Sequence, residues 1–186
     1  MTYLTQAIVL KKCALGDYDC QYTLYTRLFG KVTAIAKGAK KITSKLNSHL
    51  EPFLICDLML AEGQLSKRLA AAGIAKNYSA IKADLDKIVI ANYFLAAIDS
   101  LIIHEAADGF LFEIIEKFLF SLSEEKEKTK NLLSLNKYLF ELLRHLGYRP
   151  KIQAQTQKQL FFELKRLIEV VSEKPARGCG FVERLF

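Results

Sequence analysis

The stretch Gln21-Tyr22-Thr23-Leu24-Tyr25-Thr26-Arg27-Leu28-Phe29-Gly30-Lys31-Val32-Thr33-Ala34-Ile35-Ala36 decides the fold of the first half of the chain. Tyr22, Leu24, Thr26 and Leu28 fall on one face, and Gln21, Thr23, Tyr25 and Arg27 on the other. A period of two is that of a strand with one face buried. Gly30 supplies a turn, and Val32, Ala34 and Ala36 resume the alternation, so the segment reads as a hairpin.

Working outward, Ala7 to Leu10 reads as a short apolar strand and Leu15 to Asp19 as a loop. Pro52 to Leu60 alternates with both faces largely apolar; only Asp57 points to solvent, and Pro52 suits the first residue of a strand. Glu62-Gly63-Gln64 turns the chain into a last strand or short helix ending near Ala72. Five short strands in about 70 residues suit a small barrel, of which an OB-type barrel is one of the few that size permits. Periodicity alone leaves other small barrels open.

Beyond Ile81 the spacing becomes helical. Ile88 to Ile103 is apolar nearly all round, as at the centre of a bundle. Asn92 and Asp99 interrupt it, and it falls short of the roughly 20 residues needed to span a bilayer. Asp108 is placed to cap a helix reaching about Leu122, and the run Ser123 to Lys130 reads as solvated. Leu135, Tyr138, Leu139, Leu142, Leu143 and Leu146 mark a third helix, closed by Gly147 before Pro150. Leu160, Leu164, Leu167, Ile168 and Val171 mark a fourth. The fold class expected is therefore α+β, with a barrel over residues 1–80 and a helical domain over 81–186.

The 27 Lys and Arg against 20 Asp and Glu leave a formal charge of +7. Residues 1–80 carry a balance of +6 and the remainder only +1, so a surface for polyanions should begin in the barrel. Lys37, Lys40, Lys41 and Lys45 lie within nine residues, with Thr43 and Ser44 between them to bond phosphate oxygens and Gly38 to let the backbone approach. Lysines hold a phosphate backbone without reading bases. Lys11, Lys12, Lys31 and Arg27 on neighbouring strands extend the patch, and whichever of Tyr22 and Tyr25 is exposed is a candidate to stack on a base. Charge alone fits an ordinary solvated loop equally well.

Catalytic patterns are missing. His49, His104 and His145 are scattered, and Cys13, Cys20, Cys56 and Cys179 form no CxxC pair, so neither a metal site nor a disulfide framework is expected. Lys37-Gly38-Ala39-Lys40-Lys41 lacks the rest of a phosphate-binding loop, and Asp17, Asp19, Glu51, Asp57 and Glu62 form no evident metal-binding set. No catalytic residues and no cofactor are therefore expected. The opening residues lack the pattern of a secretory signal.

Taken in order, Ala7-Ile8-Val9-Leu10, Gly16-Asp17-Tyr18-Asp19, Leu24 to Lys31, Ala36 to Lys41 and Leu50-Glu51-Pro52-Phe53 resemble the RecO family, as does Phe140 to Pro150. The resemblance implies an N-terminal OB-fold followed by a helical domain. It also implies a cytoplasmic, nucleoid-associated mediator of DNA repair that is not an enzyme. Such a protein binds single- and double-stranded DNA, anneals complementary strands, and works with RecR to load RecA onto DNA coated by single-stranded-DNA-binding protein. Lys37, Lys40 and Lys41 match the family's basic loop. The acidic C-terminal tail of the single-stranded-DNA-binding protein would need an apolar notch rimmed by cations, for which Arg144, Lys137 and Lys117 are candidates. A protein-binding scaffold with little DNA affinity is the alternative. Family members commonly carry a four-cysteine zinc module after the Gly-Tyr-x-Pro element, whereas Gln155 and Lys158 stand near the first two cysteine positions. That departure predicts no zinc module, with Gln157 to Val171 following directly as the final helix.

Overall fold

The computed structural model describes residues 1–41, 44, 46–63, 66–103, 106–150 and 153–185. The chain divides into two bodies. One holds Met1–Asn77 with Ile103–Phe112, the other Tyr78–Ile102 with the residues from Glu113 onward.

In the first body, strands β1 (Thr2–Leu15), β2 (Asp19–Thr26), β3 (Gly30–Ala36), β4 (Leu54–Ala61) and β5 (Lys67–Asn77) close into a barrel in the order β1-β2-β3-β5-β4. The short helix α1 (Leu46–His49) lies between β3 and β4 in sequence. All contacts between neighbouring strands are antiparallel except the short parallel pairing of Ala34 and Ile35 with Lys67 and Arg68. The architecture is the expected α+β one, an OB-type barrel followed by helices.

Closure depends on β1. Its first half pairs with β4, its second with β2, and the register slips between Val9 and Lys11. That bulge at Leu10 bends one long strand around the barrel. It also explains why a strand expected over four residues spans fourteen, since the slip breaks the alternation just where Lys11 and Lys12 interrupt the apolar pattern. The 15–19 loop shrinks accordingly to a turn at 16–18. β5 is a strand reaching Asn77 instead of stopping near Ala72; its run of Ala and Gly has weak intrinsic preference, and pairing with β4 decides the outcome. Pro52 lies in a turn two residues ahead of β4.

Ala7, Val9, Tyr22, Leu24, Ala34, Ala36, Leu54, Cys56, Leu58 and Leu60 fill the interior. Leu28 does not share this face as the alternation predicted: it sits in the 27–29 turn, 56% exposed. Tyr25 points outward yet is buried, because Asp108 and Phe112 return over it. Its hydroxyl donates to the Asp108 carbonyl at 3.2 Å, and its ring lies 6.5 Å from that of Phe112. Neither of the two tyrosines proposed as stacking platforms is therefore available.

The second body is helical: α2 (Ser79–Lys82), α3 (Leu85–Leu101), α4 (Gly109–Glu124, its first turn in the first body), α5 (Lys128–His145), α6 (Gln157–Ser172) and α7 (Cys179–Val182), followed by a 3-10 turn (Glu183–Leu185). Asp84 caps α3 by accepting from the Asp86 and Lys87 N–H groups. Asp108 accepts from the Leu111 N–H at 3.0 Å, as its position predicted. α3 is the central helix. Its Phe94 ring lies 4.0 Å from Phe118 of α4, and its Tyr93 ring 5.3 Å from Phe161 of α6. α5 begins two turns before its apolar stripe, because the inward positions of those turns carry the polar Asn131 and Ser134. Only residues 125–127 of the expected solvated run connect the helices.

Candidate nucleic-acid interface

Two turns meet at one end of the barrel. Gly16-Asp17-Tyr18 joins β1 to β2, with Gly16 at φ 61° as a tight turn requires, and Lys37 to Lys41 leaves the end of β3. Three hydrogen bonds latch them together. The Gly38 N–H donates to Asp19 Oδ1 at 2.7 Å, the Lys40 N–H to the Tyr18 carbonyl at 2.9 Å, and Lys40 Nζ to the Gly16 carbonyl at 2.7 Å. The aliphatic stem of Lys41 runs past Gly38, and its ammonium sits 5.6 Å from the Tyr18 ring centroid.

The side chains of Lys37, Lys40 and Lys41 are all exposed, and none is paired with a carboxylate among the described residues. Asp17 and Asp19 belong to the same cluster, so these five groups sum to a modest +1. Lys11 and Lys12, farther along β1, add positive charge. Lys12 Nζ stands 5.6 Å from the Tyr22 ring. Lys45 and Thr43 lie outside the described residues.

The remaining candidates spread along β1 to β3. Lys11 stands opposite Thr23, and Thr23 opposite Thr33, so an exposed cation and two hydroxyls share one outward row. Lys31 pairs with Tyr25, three rows from the Lys37 end. Arg27 is at the far end of β2, about 25 Å from Asp19 at the usual rise of a strand, with its guanidinium 4.7 Å from the Phe112 ring. The structure thus brings Lys37, Lys40 and Lys41 together and leaves Arg27 apart. Strand alternation gives no sign of Tyr18, which is 61% exposed within the cluster. An aromatic inside a Gly-Asp-x-Asp turn, where small polar residues are usual, was the available signal.

Two models of the recombination protein O family match this sequence, the N-terminal one over residues 1–78 and the C-terminal one over 82–160. The chain belongs to the RecO family. Among curated relatives, the DNA repair protein RecO of Syntrophus aciditrophicus is 35% identical over 156 residues, 81% of this chain and 58% of the relative. That of Roseiflexus sp. is 31% identical over 185 residues, 98% of this chain and 64% of the relative. The chain spans about three-fifths of the length of the RecO proteins it matches.

In the helical body, Lys117 lines a shallow cavity of about 450 Å³ with Phe120, Ser121, Glu124, Glu125 and Tyr138, and is itself 3.3 Å from Glu113. Lys137 Nζ lies 5.3 Å from the Tyr138 ring. Arg144 follows Lys137 by seven residues, so both lie on one face of α5. A larger groove of about 710 Å³, which sequence reasoning did not anticipate, is lined by Arg149, Arg166, Tyr148, Leu167 and Val170 among others. Among the described residues no group of three or more His, Cys, Asp or Glu is placed to hold a metal, and no helix is long and apolar enough to cross a membrane.

Proposed function

We propose that this RecO-family chain is a non-enzymatic, cytoplasmic DNA-repair mediator: it holds single- and double-stranded DNA, promotes annealing of complementary strands, and assists RecR in loading RecA. The observation that carries this reading is the exposed Lys37, Lys40 and Lys41 cluster on the latched turns at one end of the barrel. Ammonium groups there neutralise phosphates on two strands and lower the repulsion that opposes pairing, while the bases themselves supply specificity. The Lys11, Thr23 and Thr33 row offers further phosphate contacts along the barrel wall.

Replacing Lys37, Lys40 and Lys41 together by alanine is expected to weaken binding to unrelated sequences equally. It should also lower the slope of log affinity against log salt by about two units on single strands and nearly three on duplex. An unchanged slope removes these lysines from the mechanism and favours a scaffold that binds proteins instead.

For the acidic tail of the single-stranded-DNA-binding protein, Lys117, Lys137 and Arg144 are the proposed cationic rim. Glu124 and Glu125 line the cavity that Lys117 lines and oppose an acidic ligand, whereas the Arg149 and Arg166 groove carries one carboxylate, Glu163. Charge reversal at Lys117, Lys137 and Arg144 with tail binding intact assigns the tail elsewhere.

A further inference from the structure

We infer that Tyr18 is a base-stacking platform, and that it gives the lysine cluster a preference for unpaired bases over duplex. This rests on the DNA-binding reading above and adds a component that lysines cannot supply.

The eight tyrosines of the chain set Tyr18 apart. Tyr22, Tyr25, Tyr78, Tyr93 and Tyr138 are buried, and Tyr3 packs edge-on against Phe29 at a centroid distance of 5.2 Å. Tyr148, 37% exposed, lines the groove of the helical body. Tyr18 is 61% exposed at the tip of a three-residue turn, where it contributes nothing to the barrel interior.

The turn that presents it is held in place. The Tyr18 carbonyl accepts from the Lys40 N–H, the Gly16 carbonyl accepts from Lys40 Nζ, and Asp19, next in sequence, accepts from the Gly38 N–H. The backbone beneath the ring is therefore ordered before any ligand arrives, which lowers the conformational cost of binding. Lys41 reaches the ring from the neighbouring turn, and Lys40 is anchored to the Gly16 carbonyl two residues before it. A nucleotide whose base lies on the ring puts its phosphates within range of these ammonium groups. Single-strand sites combine a ring for the base face with cations for the backbone. In a duplex the base faces are stacked on one another, so the ring gains nothing there.

The test uses the full chain and three probes: a short oligothymidylate, an abasic deoxyribose-phosphate strand of equal length, and a blunt duplex. Tyr18→Ala is expected to bind oligothymidylate roughly five- to a hundred-fold more weakly. It should leave affinity for the abasic strand and the duplex within about twofold, and keep the salt slope, since no charge is removed. Tyr18→Phe retains the affinity. Because the sequence contains no tryptophan, Tyr18→Trp installs a single reporter, whose emission should be quenched by oligothymidylate and not by the abasic strand. Near-unchanged oligothymidylate binding by Tyr18→Ala, an equal loss on the abasic strand, or equal quenching by both probes overturns the stacking role. If the lysine variants lower affinity and slope in the same experiment, the DNA-binding reading survives that failure. If they do not, both fall together.

Discussion

The Asp19 carboxylate accepts a 2.7 Å hydrogen bond from the Gly38 N–H and so fixes the lysine-bearing turn against the Tyr18 turn. A carboxylate amid cations at a surface for polyanions is a compromise between holding the backbone and repelling the ligand. The two roles separate by substitution. Asp19→Ala loses a charge-assisted bond and should destabilise the fold by about 1–2 kcal/mol in urea unfolding. Asp19→Asn keeps an acceptor while deleting a negative charge. It should remain close to unmodified stability and bind single strands about two- to threefold more tightly at low salt.

Gly30 should tolerate a side chain far less well than Gly16, although both have positive φ, 64° and 61°. A Cβ at Gly30 would fall on the backbone carbonyl of Ala106, whereas one at Gly16 meets nothing within 4 Å. Gly16→Ala is therefore expected to cost about 1–2 kcal/mol, the conformational penalty alone. Gly30→Ala must also displace the segment that starts at Ala106 and should cost about 2–4 kcal/mol. Hydrogen exchange would read that displacement as faster exchange in residues 106–112. Equal costs at the two positions would mean that the segment does not lie against Gly30.

The barrel was legible where one face was inside and one outside: β2 follows its alternation as far as Thr26, where the 27–29 turn takes over, and β3 follows its own. It was illegible where a long-range event supplied the missing information. The bulge at Leu10 hides half of β1, and no local pattern announces that Asp108 and Phe112 return to cover Tyr25. The same event removes Tyr25 as a stacking ring, because a residue that faces outward from a strand need not be exposed. Helix ends were legible through their caps, Asp108 and Gly147 above all. The first two turns of α5 were not, since Asn131 and Ser134 are buried polar residues and interrupt the apolar stripe. The lysine cluster was visible in sequence, but its partner turn came into view only through the Asp19 and Lys40 hydrogen bonds.

Alkaline pH should unfold the barrel from within. Burial raises the Tyr22 and Tyr25 hydroxyls from 10.0 to about 12, and the Cys56 thiol from 9.0 to about 12. A folded-state value above the unfolded one means that deprotonation favours the unfolded chain. The stability tied to these groups is thus complete below about pH 9 and is lost as pH climbs toward 12. Tyrosinate absorbance and circular dichroism should therefore change together across that window. The Tyr22 hydroxyl makes no hydrogen bond to nitrogen or oxygen among the described residues and has only the weakly bonding Cys20 thiol beside it, so Tyr22→Phe should move the alkaline midpoint upward with little loss of stability at neutral pH. A Phe variant weakened at neutral pH would show that the hydroxyl is bonded after all.

Lys87 is the charge whose removal should hurt the helical body most. It is 8% exposed, and its ammonium donates to the Ser123 carbonyl at 3.2 Å and the Glu125 carbonyl at 2.6 Å. These oxygens stand at the end of α4, where carbonyls lack intrahelical partners and the helix dipole is negative. One buried cation thereby satisfies two acceptors and joins the first turn of α3 to the last of α4. Lys87→Met preserves the aliphatic stem but leaves both carbonyls unpaired, and should destabilise the body by about 2–4 kcal/mol. Lys126→Met, an exposed lysine in the adjacent connection, should change stability by less than about 0.5 kcal/mol. Urea unfolding followed by helical circular dichroism compares the two directly. A Lys87 variant no weaker than the Lys126 variant would show that water satisfies the α4 carbonyls as well as the ammonium does.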